Sequence, residues 1–439
     1  MQTTACDVLL HHTSVLTGDM EILHNQSIAV KDGKILGISG ADTADQFYNA
    51  DERSDGRGLL WMPGLTDGHM HTGQQLLRGR ILDALPMIWT RIMLPFESTL
   101  TPELMELSAS LAALEMIRCG TSSFVDAGSY HMEQAARVYA ASGLRGMLTS
   151  STMDDPALPA SIRQTATQAL DANDRLYDDW NGRGNLQVSY SLRSLISCSP
   201  ELITTAFGHA KERGAMIQAH MNEYPNEINY HLERYQKRPM EYLDSLGVLD
   251  SNFISAHSLL LSQPEMDLMA AHGVKAVHCP FSNCGKAAPD TNALLQRGIS
   301  VGLGTDGTAH GGMSLWNEMK IFRSVMNVTW GVRTANPVVM PAERILSMAT
   351  RGGAALFGRE TDLGVIREGA AADLISIRID RPHLFPTGNL VHTLVESVNA
   401  DDVQDMMVNG SWIMKKREIL TLDEEKILDA AGRYLEHLH

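Results

Sequence analysis

One stretch decides the fold of this chain: residues 298–306 read GISVGLGTD, a glycine and then a short β-rich run that ends in an aspartate. Glycine suits the left-handed position that ends a helix, and the run after it has the length of a buried strand. The same joint, in which a helical pattern stops at a glycine before a strand-like run, recurs at Gly120, Gly143, Gly214 and Gly273. Helix and strand therefore alternate over about 300 residues, which predicts a parallel sheet covered by helices.

The size of this region and the residues at its strand ends favour a closed (β/α)8 barrel; an open doubly wound sheet is the competing architecture. The strand-like runs end in polar side chains that are able to bind a metal or move a proton. In a barrel the carboxyl ends of the strands meet at one mouth, so these side chains would come together there. They are His69, His71, His220, His257, His278 and Asp306.

A second pattern, short alternating runs separated by turn residues, occupies both ends of the chain. Residues 27–30 and 34–38 flank a Lys-Asp-Gly turn, and comparable runs return at residues 372–377 and 403–410. Such runs predict strands joined by tight turns, and the two ends are able to form one sheet structure. The predicted domains are a barrel over residues 63–364 and a composite β domain built from residues 1–62 and 365–439.

Composition excludes several classes of protein. Of the 439 residues, 44% are hydrophobic and 20% are charged, the profile of a globular protein. The formal net charge of −16 disfavours binding to nucleic acid or to an anionic membrane. The five cysteines are an odd number, which indicates free thiols, and the N-terminus lacks the pattern of a secretory signal. We therefore expect a cytoplasmic protein with a composition typical of a soluble enzyme.

Residues 63–74, PGLTDGHMHTGQ, carry the sharpest chemical signal. Side chains two residues apart on an extended chain point to the same face, so His69 and His71 are able to bind one ion together. Two partly exposed loop histidines are the ordinary alternative. A catalytic metal needs at least three protein ligands and an open position for water, and His220 and Asp306 would complete such a set. Zinc and iron both suit these nitrogen and oxygen ligands.

Two further residues are candidates for proton transfer. Glu223, three residues after His220 in HMNE, would act as a general acid and base; its alternative is an exposed loop carboxylate. His257, in SAH, would polarise the substrate or hold the attacking water; its alternative is a core histidine bonded to the backbone.

Residues 302–307, GLGTDG, match the GxGxxG of dinucleotide sites. No carboxylate lies close to Asn327, where such a site needs one.

Five motifs, in order along the chain, resemble those of the metal-dependent amidohydrolase superfamily, and more closely its branch of aminohydrolases that act on nitrogen heterocycles. They are PGL with HMH (residues 63–71), HMNE (220–223), SAH (255–257), HCPFSN (278–283) and LGTDG (303–307). Residues 76–79, 94–101 and 364–374 fit the same pattern, so the resemblance covers nearly the whole chain.

The resemblance implies a distorted (β/α)8 TIM barrel with a composite β-sandwich domain built from both chain ends. It implies one divalent metal, zinc in preference to iron, held by His69, His71, His220 and Asp306. The implied reaction is hydrolytic deamination of an amidine-like carbon. Glu223 would pass the proton, His257 and Asp306 would assist, and ammonia would leave.

The members of this branch differ in substrate. Those that deaminate adenosine, S-adenosylhomocysteine or methylthioadenosine carry a glutamate near the tryptophan that matches Trp89, for the ribose hydroxyls, and a histidine where this chain has Arg193. Residues 86–88 are Pro, Met and Ile here, so we expect the ribose contact to be absent. Gln74 and Arg193 resemble instead the guanine deaminase arrangement, in which a glutamine and an arginine bind the carbonyl and ring nitrogens of an oxo-purine.

We therefore expect the substrate to be a free amino-oxo heterocycle such as guanine, a related purine or a pterin, with His278 and Trp89 also in contact with it. The alternative for Gln74 and Arg193 is a glutamine behind the site and a surface or ion-paired arginine. Alternative reactions are deamination of an adenosine-type nucleoside, and dechlorination or alkylamine release on a triazine-like ring. A non-catalytic relative is disfavoured because the four ligands and Glu223 occur together. Because oligomers are common in the family, we expect a homo-oligomer.

Overall fold

The N-terminal strands form the first part of a large sheet in this computed structural model, which describes residues 3–84 and 88–436. These strands are β1 (Thr4–Leu16), β2 (Ile22–Lys31), β3 (Lys34–Gly40), β4 (Tyr48–Asp55) and β5 (Leu59–Pro63). Between β2 and β3 the chain turns at Asp32 and Gly33, which both have positive φ. This is the two-residue hairpin that the Lys-Asp-Gly signal predicts.

Parallel strands enclose the centre of the molecule in two sheets, of order β6-β7-β8-β9 and β10-β11-β12-β13-β14. Their residues are mostly buried, as parallel strands covered by helices require. The strands are β6 (Leu65–Met70), β7 (Thr121–Asp126), β8 (Arg145–Leu148), β9 (Leu186–Val188), β10 (Tyr190–Leu192), β11 (Ile217–Met221), β12 (Phe253–His257), β13 (Lys275–His278) and β14 (Val301–Leu303).

The two parallel sheets meet at both edges. β9 continues into β10 through Ser189, whose N–H donates to the carbonyl of Leu148 in β8 at 2.8 Å. At the opposite edge Met70 of β6 and Asp306 beyond β14 form a parallel bridge. If β9 and β10 are taken as one interrupted strand, the described residues follow the order of a distorted (β/α)8 barrel, which confirms the predicted fold class.

The helices between these strands end at the glycines that the sequence singles out. All five glycines take the left-handed conformation, with φ between 62° and 81°: Gly120, Gly143, Gly214, Gly273 and Gly298. This conformation turns the chain back from a helix into the next strand at no steric cost for glycine.

The helices cover the barrel and fill the connections at the chain ends. They are α1 (Ala44–Phe47), α2 (Leu94–Glu97), α3 (Pro102–Cys119), α4 (Met132–Ser142), α5 (Ala166–Trp180), α6 (Pro200–Glu212), α7 (Pro225–Tyr235), α8 (Pro239–Ser245), α9 (Gln263–His272), α10 (Pro280–Asn283), α11 (Thr291–Gln296), α12 (Leu315–Met326), α13 (Val332–Thr334), α14 (Ala342–Ser347), α15 (Gly353–Leu356), α16 (Leu390–Glu396) and α17 (Glu424–Glu436).

The C-terminal strands complete the sheet that the N-terminal strands begin. They are β15 (Leu374–Arg378), β16 (Val403–Val408), β17 (Ser411–Lys415) and β18 (Glu418–Ile419). The sheet has the order β18-β17-β16-β15-β5-β1-β2-β3, with β4 beside β1, so β5 and β15 join the two chain ends. The composite domain is therefore present as predicted, and its limits at residues 62 and 365 stay a prediction.

An ion pair fastens this sheet to the barrel. Arg145 of β8 donates from Nε to Asp373 Oδ2 at 2.7 Å and from a terminal nitrogen to Oδ1 at 3.1 Å. Asn409 N–H also donates to Asp373, at 2.7 Å. The parallel bonds of an arginine to a carboxylate fix orientation as well as contact.

The structure also describes the cysteines and the apolar length of the helices. Each of the five cysteines lies in the described part of the chain and has a free thiol. Within residues 3–84 and 88–436, no helix is long and apolar enough to cross a membrane.

Candidate active site

Side chains that are distant in sequence meet at the carboxyl ends of the barrel strands. His69 and His71 lie at the end of β6, His220 lies on β11, and Asp306 follows β14. His71 Nε2 is 3.2 Å from His220 Nε2 and 3.3 Å from Asp306 Oδ1. His69 Nε2 is 3.8 Å from the same carboxylate oxygen. The structure thus brings together the four residues that the sequence predicts as metal ligands.

Asp67 sets the positions of these residues on two strands. Its Oδ1 accepts the backbone N–H of His69 at 3.2 Å and that of Thr305 at 3.1 Å, and Thr305 Oγ1 donates to Oδ2 at 2.5 Å. Burial raises the pKa of Asp67 to about 7, although these hydrogen bonds work in the opposite direction. Asp67 therefore ties the end of β6 to the residue before Asp306.

The buried side chains at this point have the chemistry of a divalent-cation site. Both ring nitrogens of His69 lack a hydrogen-bond partner among the residues described. Burial, together with the charges of the neighbouring histidines, holds the pKa of His69 and of His220 well below the usual range, so each ring keeps a lone pair for a metal. Burial works to raise the pKa of Asp306, but the hydrogen bond from His71 and nearby positive charges outweigh it and keep the carboxylate ionised.

Three overlapping sets of possible ligand atoms converge, each within 4.8 Å. They are His69, His71 and Asp306; His69, His220 and His257; and Glu223, His257 and Asp306. Two to three imidazoles and a carboxylate around one point fit the ligand count of a catalytic zinc or iron site.

Glu223 and His257 face the same point. His257 Nε2 is 3.6 Å from Glu223 Oε1, and the His257 ring centroid is 5.1 Å from that of His69. Lys286 Nζ donates to Glu223 Oε1, and the Lys286 side chain is only 7% exposed. Burial works to raise the pKa of Glu223, but the electrostatic influence of His257 and the positive charge of Lys286 outweigh it and hold the pKa below its usual range. Glu223 is therefore an ionised carboxylate beside the predicted metal ligands, able to accept a proton.

Gln74 and Arg193 converge on Glu97, a residue that the sequence analysis does not single out. Arg193 Nη2 donates to Glu97 Oε1 at 2.9 Å, and Gln74 Nε2 donates to the same oxygen at 2.8 Å. Arg193 Nη1 donates to the carbonyl of Gly128 at 3.0 Å and lies 3.2 Å from His71 Nδ1. The arginine is therefore ion-paired, which is the alternative that the sequence leaves open.

Two acceptor oxygens of Glu97 and Gln74 have no hydrogen-bond donor among the described residues. Glu97 Oε2 and Gln74 Oε1 are buried and find no hydrogen-bond partner anywhere in residues 3–84 and 88–436. The absence of a side chain at Gly307 makes room for the glutamine, because a Cβ there would lie 1.7 Å from Gln74 Oε1. Buried acceptors are normally hydrogen-bonded, so these two oxygens are available to the donors of a ligand.

The other two residues predicted to contact substrate have different surroundings. His278 is fully buried, and its Nδ1 donates to the carbonyl of His257 at 2.7 Å. Burial lowers the pKa of His278 to about 4, so the ring is a neutral donor that orients His257. Trp89 is half-buried at the start of the π-helical turn Trp89–Met93, and it packs in an apolar cluster that contains Ala309, three residues after Asp306.

Glu97 lies in residues 94–101, LPFESTLT, which already carry the family resemblance, and the available signal is that it is the single carboxylate of this run. The expectation that the ribose contact is absent depends on residues 86–88, of which Pro86 and Met87 lie outside the described residues. In the part of this segment that is described, Glu97 supplies a buried carboxylate eight residues after Trp89.

Comparison with known proteins agrees with this architecture. A model of the amidohydrolase family matches residues 60–413. The 5-methylthioadenosine/S-adenosylhomocysteine deaminase of Pelotomaculum thermopropionicum is 32% identical over 436 residues, which cover 97% of this chain and 98% of that protein. The 5′-deoxyadenosine deaminase of Methanosarcina mazei is 31% identical over 442 residues, 98% of each chain. A solved adenosine deaminase from Xanthomonas campestris with bound zinc has a TM-score of 0.93 at 23% identity over 99% of both chains, and shares the fold.

The barrel and its cluster of histidines and carboxylates define a hydrolase of the metal-dependent class. The chain belongs to the amidohydrolase family. It is a hydrolytic enzyme that acts on carbon–nitrogen bonds, as the sequence predicts.

Proposed function

We propose that this enzyme deaminates an adenosine-type nucleoside that is modified or deoxygenated at the 5′ position. Two relatives that match over almost the whole chain are named as deaminases of such nucleosides. The structural observation that supports the proposal is the Glu97 carboxylate, whose Oε2 is a buried acceptor left open when Arg193 and Gln74 bind Oε1. An ionised carboxylate is a strong acceptor for the hydroxyl hydrogens of a ribose.

The same geometry argues against a free oxo-purine, the substrate that the sequence favours. A ring carbonyl is bound by a guanidinium that directs its hydrogens at the ligand. Each terminal nitrogen of Arg193 instead directs a hydrogen at a protein acceptor, Nη2 at Glu97 and Nη1 at the Gly128 carbonyl. The role of Arg193 is then to hold Glu97 in place.

His69, His71, His220 and Asp306 would hold the divalent ion, and zinc suits this mixture of imidazole and carboxylate. When bound, the ion would lower the pKa of a water molecule and so supply a nucleophile near neutral pH.

The protein's own groups would move the protons. Glu223 would take a proton from the attacking water and deliver it to the amino group as it leaves. The carbon–oxygen bond to C6 of the purine forms and the carbon–nitrogen bond breaks. One water proton departs in ammonia, and the other stays on the oxo product. His257 Nε2 faces the same point and would hold the attacking oxygen.

Steady-state assays of zinc-loaded protein test the substrate. Ammonia release is measured with 5′-deoxyadenosine, methylthioadenosine and S-adenosylhomocysteine, and with guanine, a pterin and a chlorotriazine at matched concentrations. We expect turnover of the nucleosides and none of the free bases. Ammonia from guanine or the pterin without turnover of any nucleoside would overturn the proposal, as would chloride release from the triazine alone.

A further inference from the structure

The turn that follows β13, residues 279–286, gives hydrogen bonds to several groups of the candidate active site. Asn283, at the end of α10, is 2% exposed and contacts the ring of His257, with Nδ2 3.1 Å from His257 Nδ1. The other bonds run from Ser282 Oγ to Asp306 Oδ2 and from Lys286 Nζ to Glu223 Oε1.

The orientation of the Asn283 amide is fixed by its second contact. The backbone N–H of Cys279 donates to Asn283 Oδ1 at 2.9 Å. A backbone N–H is only a donor, so the atom that accepts from it is the amide oxygen. The atom that faces His257 is then the amide nitrogen, which also is only a donor. His257 Nδ1 must therefore accept this hydrogen bond.

The hydrogen of the neutral imidazole is consequently on the other nitrogen. A neutral histidine has one N–H and one lone pair, and in His257 the lone pair is on Nδ1. His257 Nε2 is buried without a hydrogen-bond partner in the part of the chain that the structure describes. It lies 3.6 Å from Glu223 Oε1, and its ring is 5.2 Å from that of His220. An N–H group thus points at the centre of the site.

We propose that Asn283 is a positioning residue for the hydrolytic step. It holds His257 in the tautomer that has hydrogen on Nε2. In that tautomer Nε2 has no lone pair for a metal, so His257 stays outside the ligand set formed by His69, His71, His220 and Asp306. It serves instead as a hydrogen-bond donor to the attacking oxygen.

A second contact holds the backbone of the same residue. His257 has a left-handed conformation, with φ of 68°, and its carbonyl accepts from His278 Nδ1 at 2.7 Å. His278 thus fixes where the residue sits, whereas Asn283 fixes which ring nitrogen has the hydrogen. The proposed nucleoside deamination is needed only for the activity readout of the test.

The tautomer can be observed directly. Two-bond proton–nitrogen correlation spectra of zinc-loaded protein with 15N-labelled histidine distinguish Nδ1–H from Nε2–H, and the signal lost in His257→Gln assigns the residue. We expect Nε2–H in the wild type. In Asn283→Asp the carboxylate only accepts, so the hydrogen moves to Nδ1. Kcat should fall roughly 10- to 100-fold, as when the orienting partner of an active-site group is removed, with KM and bound zinc per chain unchanged.

Asn173→Asp is the matched control. Asn173 is also fully buried, and it accepts from Ser150 N–H at 2.7 Å and donates to the Ser189 carbonyl at 2.9 Å, away from the site. This control should lower the melting temperature without changing the His257 tautomer. If Asn283→Asp does not fold, Asn283→Ala removes the donor without adding a charge.

A wild-type His257 with hydrogen on Nδ1, or a folded Asn283→Asp protein whose His257 keeps the wild-type tautomer, would overturn the inference. The spectra need no substrate, so they decide the role of Asn283 even if no nucleoside is turned over.

Discussion

Glu97 and Arg193 form a buried ion pair beside the predicted metal ligands: Arg193 Nη2 lies 2.9 Å from Glu97 Oε1, and the side chains of Arg193 and Glu97 are 2% and 1% exposed. Moving both charges out of water costs several kcal/mol per ion, which is offset only where geometry and further hydrogen bonds are good. Here Gln74 and the Gly128 carbonyl supply those bonds. The pair satisfies one carboxylate oxygen and leaves the other to a ligand.

Glu97→Gln should weaken binding of the nucleoside more than it slows the reaction. A neutral amide oxygen is a weaker acceptor than a carboxylate, and loss of a charge-assisted bond of about 1.5–3 kcal/mol raises KM about 10- to 100-fold. The unpaired Arg193 should also lower the free energy of unfolding by about 3 kcal/mol. Initial rates and urea unfolding measure the two effects. Glu115→Gln, which removes the half-buried carboxylate paired with Arg78, should keep the wild-type KM. A wild-type KM in Glu97→Gln would remove the ribose role from this residue.

His220→Ala should abolish stable metal binding, because it takes one imidazole from a set of four protein ligands. We expect less than one zinc per chain by elemental analysis after desalting, and loss of activity. His231→Ala is the control, since His231 is a fully buried histidine that hydrogen-bonds to the Glu227 carbonyl, outside the set. Chelator treatment of the wild type should lower the melting temperature, and added zinc should restore it in a concentration-dependent way. Equal zinc in His220→Ala and wild type would contradict the assigned ligands.

The sequence predicts the parts of this site that depend on local pattern. Alternating helix and strand, with glycines such as Gly298 at the joints, predicts the barrel, and the barrel predicts that His69, His220 and Asp306 meet. The partner of Arg193 has no such signal, because Glu97 lies 96 residues away on a different element. Nothing local distinguishes an arginine that contacts substrate from one that contacts a carboxylate.

The same limit applies to hydrogen positions. HCPFSN identifies Asn283 as part of a family motif, but only the contacts of its amide with Cys279 and His257 reveal which atom faces the ring. The pairing of β5 with β15 shows what an alternating sequence pattern is able to predict. Alternation at both chain ends predicts a shared sheet, whereas its register depends on packing that sequence does not display.

Lys286→Met should move the acid limb of the pH profile to higher pH. Glu223 must be ionised to accept a proton from water, and the Lys286 charge helps to hold its pKa below the usual range against burial. Removal of that charge raises the pKa of Glu223, so kcat/KM begins to fall at a higher pH on acidification. Lys286→Arg keeps the charge and should restore the wild-type limb. Lys211→Met, at a side chain that is 77% exposed, is the surface control. Identical acid limbs in wild type and Lys286→Met would show that Lys286 does not act on Glu223.

Glu227 should make the fold less stable as the pH rises. Burial raises the pKa of Glu227 to about 8, although its Oε2 accepts the Glu223 backbone N–H at 3.0 Å. An unfolded glutamate titrates near pH 4.3, so the folded state binds this proton more tightly than the unfolded chain. The stabilisation is complete below about pH 4 and is lost as the pH rises through 8.

Glu227→Gln does not ionise and should escape this loss. We expect its melting temperature to match the wild type at pH 4 and to exceed it increasingly up to pH 9. The difference between the folded and unfolded pKa of Glu227 corresponds to a loss in the free energy of unfolding on the order of 5 kcal/mol between low and high pH. Glu233→Gln, at an exposed position of the same helix, should follow the wild-type curve throughout. Thermal unfolding at several pH values measures the melting temperature of each protein. If the three plots of melting temperature against pH superimpose, Glu227 is already ionised in the folded state at neutral pH.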